Sequence, residues 1–281
     1  MNIALCFCVR NCAQYLSKIF ENIESVKKLD NINVYAIFVH DNCTDNSSAI
    51  LNIYRNKNPT NVIVKSIRNN NPARTIRIAK ARNACLDVVY NELKDIKYHI
   101  MIDADNICIA PWDTKLLNNY LHNVDNDDWD CLSFNRDKYY DIWALLFDDF
   151  KHHCWGFGKD GGTVVSTMRN IIIQKLRNCK TNTIEVLSAF NGFCIYNTQR
   201  FKGFEYNGTI EKVYPLFTDK EREHTEVVLK KNKISAKCQK ISSLNGSHGG
   251  IKAEECCEHI YYHVTAHKAG RKIKISKHKI M

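Results

Sequence analysis

The chain predicts an α/β fold, a mostly parallel central sheet flanked by helices on both faces, and three observations carry that expectation. Apolar runs of strand length alternate with stretches of helical periodicity through roughly the first 110 residues. Turn-forming polar segments separate them. The fourth run ends abruptly in Asp103-Ala104-Asp105, at a strand's carboxyl end, where open α/β sheets place their ligands.

Each element follows from its own residues. Residues 3–9 are apolar, but the run is too short and lacks the basic flank of a signal peptide or membrane anchor, so it reads as a first strand. From 12 to 28 apolar residues recur at helical spacing: Leu16, Ile19, Phe20, Ile23 and Val26. Residues 34–39 form a second buried strand, and Asp41-Asn42-Cys43-Thr44-Asp45 is the turn opening a helix through Ser48, Ile50, Leu51 and Tyr54. A third strand at 62–66, a helix at 75–93 and a fourth strand at 98–102 complete the pattern. After Pro111 the character changes. Residues 129–134 and 193–196 read as strands, while 135–169 is long, aromatic and irregular, with Gly161-Gly162 near its end. Long loops in compact domains carry function. In the last stretch, 268–279, Arg271, Lys272, Lys274 and Lys277 alternate with Ile273 and Ile275. That pattern suits a charged edge strand or a frayed tail better than a nucleic-acid or membrane patch.

A chain of 281 residues with 44% hydrophobic content can bury the core of one compact unit, divided only loosely near residue 110. The charge of +10 favours a polyanionic or phosphorylated partner. Thirteen cysteines, an odd number without repeated metal spacing, point to reduced, mostly buried thiols and an intracellular, cytoplasmic protein. The sequons at Asn42, Asn207 and Asn245 are then unused. Cys256-Cys257 with His259 and His263 does not have the spacing of a structural zinc site.

The carboxylates carry the chemistry. On a strand, residues i and i+2 point to one side, and two carboxylates pointing the same way ionise at a cost unless a cation lies between them. Hard cations such as Mn²⁺ or Mg²⁺ take oxygen ligands and share them with substrate phosphates. The competing reading makes Asp103 and Asp105 loop or cap residues. Asp41 closes the second strand, where an acidic residue can hold a ribose or base; an Asx-turn explains Asp45 and Ser47 but leaves Asp41 unassigned. Arg82, on the helix before the Asp-x-Asp strand, can pair with a diphosphate or orient the carboxylates. Arg74, Arg77 and Lys80 read as a solvated helix face.

In this order the segments resemble the GT-A fold of nucleotide-sugar glycosyltransferases. Residues 40–47 (His-Asp-Asn-Cys-Thr-Asp-Asn-Ser) are similar to the D-x-S-T-D-x-S signature of that group. Arg77 to Leu86 (Arg-x-Ala-x-x-Arg-Asn-x-x-Leu), Tyr139-Tyr140-Asp141-Ile142-Trp143, Ala189-Phe190-Asn191-Gly192 and Glu223-His224 resemble capsule-associated fungal mannosyltransferases and glycosyltransferases of large DNA viruses, over about residues 1–230. The resemblance implies a single Rossmann-like GT-A domain, with a nucleotide-sugar-binding half to about residue 110 and an acceptor-binding half and tail beyond. It implies metal-dependent transfer, with Mn²⁺ or Mg²⁺, from a UDP-sugar or a GDP-sugar to a glycan or protein-linked acceptor. A viral source would place the protein in host cytoplasm or virion.

Residue by residue, the resemblance assigns Val9, Arg10, Asn11 and Asp41 to the nucleoside, Asp103 to ribose or metal, and Asp105 to metal. Asn191 and Gly192 fall where the family shapes the sugar and acceptor pocket; Asp141 and Trp143 fall on the acceptor side. Glu223 is the candidate general base of an inverting displacement, although Asp219 to Glu223 also reads as a solvated helix start and a retaining enzyme needs no such base. His248 is the candidate third metal ligand, with Lys252 reaching phosphate from the same Gly-rich loop; His263 and His267 are its rivals. Two other functions compete. A nucleotidyltransferase also pairs carboxylates with a metal but needs a Gly-rich phosphate loop, which Phe7-Cys8-Val9-Arg10-Asn11 lacks. A non-enzymatic basic module would bind nucleic acid with a steep salt dependence.

Overall fold

The structure is a computed structural model, and it describes residues 1–122, 128–238 and 255–281. Its strands are β1 (Asn2–Val9), β2 (Asn33–Asp41), β3 (Val62–Ile67), β4 (Ile96–Asp103), β5 (Cys131–Phe134), β6 (Thr183–Val186), β7 (Phe193–Asn197) and β8 (Ile273–Ser276). They form one sheet in the order β3-β2-β1-β4-β7-β5-β8-β6. The first four are mutually parallel, as expected. β7 then runs antiparallel to both β4 and β5, and β6 antiparallel to β8.

The longer helices are α1 (Ala13–Val26), α2 (Ser47–Lys57), α3 (Arg74–Asp87), α4 (Thr114–His122), α5 (Gly161–Arg177), α6 (Asp219–Lys231) and α7 (Glu258–Lys268). α3 continues through a wider π turn over Val88–Glu92, so the helical reading of 75–93 holds in extent. Because alternate side chains of a strand face opposite ways, each strand feeds two cores. Ile3, Leu5, Phe7, Phe38 and Ile100 pack with α1, α2 and α4. Ala4, Cys6, Ile37, Val39 and Met101 pack with α3, α5 and α7 on the other face.

Two expectations are corrected. The region 135–169 is not irregular throughout: α5 starts at Gly161, and Val164, Val165, Met168, Ile172 and Leu176 form its buried stripe. The basic tail is neither an edge strand nor frayed, because β8 lies between β5 and β6 with Ile273 and Ile275 fully buried. Its isoleucines face the core while its lysines face out, and the alternation that resembled an edge comes from the pleat alone. All thirteen cysteines are free thiols, nine of them buried. No helix among the described residues is long and apolar enough to cross a membrane.

Candidate functional site

β1 has β2 on one flank and β4 on the other. The connections leaving β1 and β4 therefore diverge, and a crevice opens outside their carboxyl ends. It encloses about 250 Å³ and is lined by Cys8, Val9 and Arg10 from the end of β1, Asp41 from β2, Arg74, Arg77 and Arg82 from α3, and Asp103 to Asp105 from β4. Arg74 is exposed, as the solvated-face reading expects, and Arg77 is half-buried, but both line the crevice, which the first turns of α3 overhang.

Asp41 is buried. Its Oδ1 accepts a 3.1 Å bond from the Asn69 amide, while Arg10 Nη1 and Arg77 Nε stand 3.8 and 4.0 Å from Oδ2. That Oδ2 has no hydrogen-bond partner among the described residues. Asn11, with φ of 54°, uses its side chain differently from expectation. Its Oδ1 accepts from the Thr44 amide at 2.8 Å and its Nδ2 donates to Thr44 Oγ1 at 3.1 Å, which ties the loop after β1 to the loop after β2. Asp45 reinforces the tie, accepting from the Ser47 amide at 2.9 Å and from the Ala13 amide at 3.0 Å.

Asp103 is held from two sides. Arg82 Nη2 donates to its Oδ1 at 3.2 Å and Tyr140 Oη to its Oδ2 at 2.7 Å. Arg82 is itself buried, with Nε donating to Glu258 Oε1 at 2.9 Å and the guanidinium 4.6 Å from the Phe190 ring centre. Burial opposes its charge, but the Glu258 and Asp103 carboxylates hold the guanidinium protonated. Asp105 has Oδ1 on the Ile107 amide at 3.0 Å, and burial together with the Asp103 charge pushes its carboxyl above the ordinary range. A divalent cation would relieve that penalty, and an all-oxygen donor set suits a hard one. Asp105 is the freer of the two carboxylates to hold it.

β7 enters antiparallel to β4 with Phe193 opposite Ile102, and this register carries the Asn191-Gly192 turn to Asp103. The Gly192 carbonyl accepts from the Asp103 amide at 3.0 Å. Gly192 has φ of 87°, in the region that favours glycine, and a Cβ there would press at 3.2 Å on Tyr140 Oη and 3.3 Å on Arg136 Nη2. Asn191, buried and at φ of 55°, accepts from the amides of Tyr140 and Asp141 and donates to the Phe134 carbonyl at 2.9 Å. The pair brackets the Tyr140-Asp141 loop against Asp103. Asp141 accepts from the Ala144 amide at 3.3 Å. Burial, then the Asp103 and Glu258 charges, raise its carboxyl to about 7.

The remaining candidates lie elsewhere. Glu223 is exposed on α6, beside Glu226, Val227 and Lys230 in a separate hollow, and is not among the residues lining the crevice. Its helix starts with a Thr218–Glu221 capping box, which matches the solvated-helix reading of this segment. His224 Nε2 donates to the Asp148 carbonyl at 2.9 Å. Trp143 packs half-buried against the larger core. His248 and Lys252 lie outside the described residues. Neither of the rivals lines the crevice: His263 is buried and bonded to Ser188 and Tyr196, and His267 lies in a hollow with Asp148 and Glu185. Glu258 was not foreseen. Its signal was an acid amid the apolar residues Cys256, Cys257, Ile260 and Tyr262, a burial that requires a cationic partner.

Residues 5–185 match the family described as glycosyl transferase family 2. No curated protein sequence matches the chain. Among solved structures, S. aureus TarS 1–349 in complex with UDP is 14% identical over 81% of this chain and 55% of that one, with a TM-score of 0.44. The mannosyltransferase PcManGT from Pyrobaculum calidifontis, in complex with GDP-Man and Mn²⁺, is 12% identical over 72% and 47%, at 0.43. Glucosyl-3-phosphoglycerate synthase from Mycobacterium tuberculosis, with Mn²⁺, UDP-glucose and glycerol 3-phosphate, is 8% identical over 83% and 66%, at 0.42. The chain spans about half to two-thirds of the length of these proteins. With the family match covering the greater part of its length, and a carboxylate-lined crevice at the switch point of its sheet, the chain belongs to glycosyl transferase family 2.

Proposed function

We propose that this glycosyltransferase uses Mn²⁺ or Mg²⁺ to transfer a sugar from a UDP- or GDP-sugar, UDP favoured, to a hydroxyl of a glycan or protein-linked acceptor. The observation that carries the reading is the Asp103/Asp105 pair opening onto a crevice rimmed by Arg10, Arg74, Arg77 and Arg82. Asp41 Oδ2, an acceptor without a donor, suits a ribose hydroxyl or a base N–H, and the arginines suit a diphosphate. Asp105, with Asp103 beside it, would hold the cation, which neutralises charge building on the departing diphosphate. Asp141 follows Tyr140, whose hydroxyl bonds Asp103, and its carboxyl feels the Asp103 charge, so we assign it, rather than the exposed Glu223, the role of general base. Asp141 takes the acceptor's proton as its oxygen bonds to the anomeric carbon. The bond from that carbon to the diphosphate oxygen breaks in the same step, the diphosphate leaving with the electron pair, and the anomeric configuration inverts.

The motif order supports kinship with the capsule-associated and viral enzymes, and the free thiols support an intracellular location. Calorimetric titration of UDP and GDP with and without Mn²⁺ tests the reading. Metal-dependent binding, weakened at least about tenfold by Asp105→Asn, is the expected result. Absence of such binding to either nucleotide, with steeply salt-dependent binding of DNA or RNA in its place, would overturn it.

A further inference from the structure

A second cluster of metal-ligating side chains lies inside the protein, and the crevice does not use it. Cys131 on β5, Cys194 on β7 and His263 on α7 place their ligand atoms within 4.8 Å of one another, all three residues fully buried. The two sulfurs are 3.2 Å apart, and Cys131 Sγ is 3.9 Å from His263 Nε2. Two thiolates on one zinc ion, at Zn–S of about 2.3 Å, stand roughly 3.8 Å apart, so the sulfurs would part by about half an ångström while His263 Nε2 draws in toward them to admit the ion.

The imidazole is already set for coordination. Ser188 Oγ donates to the Ala144 carbonyl at 2.6 Å, so it accepts from His263 Nδ1–H at 3.0 Å. The proton is thereby fixed on Nδ1, and the Nε2 lone pair points toward Cys131 and accepts from the Tyr196 hydroxyl at 2.8 Å, a bond that a metal ion would take over. A metal-bound histidine is oriented in this way, by donating its other N–H to an outer group. Charge argues for the same occupant. An isolated thiolate is excluded from an apolar core, but two thiolates on one divalent cation make a neutral unit. The sulfur and nitrogen donors select against the hard cation that suits Asp105.

We propose that Cys131, Cys194 and His263, with the Tyr196 oxygen as fourth ligand, hold one zinc ion as a structural site pinning β5, β7 and α7 together. Binding releases one proton from each thiol and involves no redox change. Because the cluster is closed to solvent, zinc is captured as the chain folds. The ligands come from three separate elements, which is why their spacing in the sequence matches no zinc motif.

Metal analysis of protein made in zinc-supplemented medium, then exposed to EDTA and gel-filtered, tests the proposal. About one zinc per chain is expected. Asp105→Asn should keep the zinc, which separates this site from the crevice, and Cys131→Ser with Cys194→Ser should lose it. Should the double variant fail to fold, the wild type decides alone: guanidinium should release about one zinc per chain to a chromophoric chelator. Wild-type protein without zinc, zinc retained by the folded double variant, or isolation of Cys131 and Cys194 as a disulfide would each overturn the proposal.

Discussion

Asp141 owes its proton affinity to its surroundings rather than its position in the sequence. Replacing it with Asn should lower transfer by about 10²–10⁴-fold while leaving nucleotide affinity nearly unchanged; equal loss of both would remove it from the reaction. Stability should follow the same group. Its carboxyl is raised from 3.8 to about 7 on folding, so the folded protein binds this proton more tightly than the unfolded chain. The resulting stabilisation is fully present below about pH 4 and is lost as pH rises through about 7. Metal-free Asp141→Asn should lack that part of the pH dependence in urea titrations. At this scale the sequence was legible where a residue's place followed from a strand's end, as for Asp41, Asp103 and Asp105. Glu223 lies away from the crevice because motif position carries no distance, and Glu258 was missed because its partner Arg82 is on a helix far away in sequence.

Between elements, the ion pair of Arg82 and Glu258 joins α3 to the first turn of α7, where an acid also suits the helix's amino terminus. Both side chains are about 95% buried. Removing one partner of such a pair leaves an uncompensated charge, so Arg82→Ala should cost about 3–5 kcal/mol. Chemical denaturation would show it; a loss below about 1 kcal/mol would mean that water reaches Glu258. The parallel strands were legible nearly to the residue, because buried strands read as unbroken apolar runs between turns. α5 was hidden by the aromatic segment before it and its Gly-Gly start, although Val164, Val165, Met168, Ile172 and Leu176 had helical spacing.

Across the whole molecule, one sheet runs through both halves of the chain, and its pairing is the least legible feature. Sequential strands usually neighbour one another, yet β7 and not β5 lies beside β4, and β8 separates β5 from β6. These contacts join residues far apart in sequence, so local periodicity carries no trace of them. A chain ending at Gly270 should expose the edges of both β5 and β6 and lose the burial of Ile273 and Ile275. Sedimentation should find it aggregated; a monomer with native thermal stability would mean that β8 is dispensable.

The place of β8 also sets a delay. β6 pairs with no other named strand, and β8 leaves the ribosome about ninety residues later. At roughly 5–20 residues per second that is on the order of 5–20 s. Throughout that interval the nascent chain carries an unsatisfied strand, so the rate of translation sets how long it stays open to capture by chaperones or by neighbouring chains.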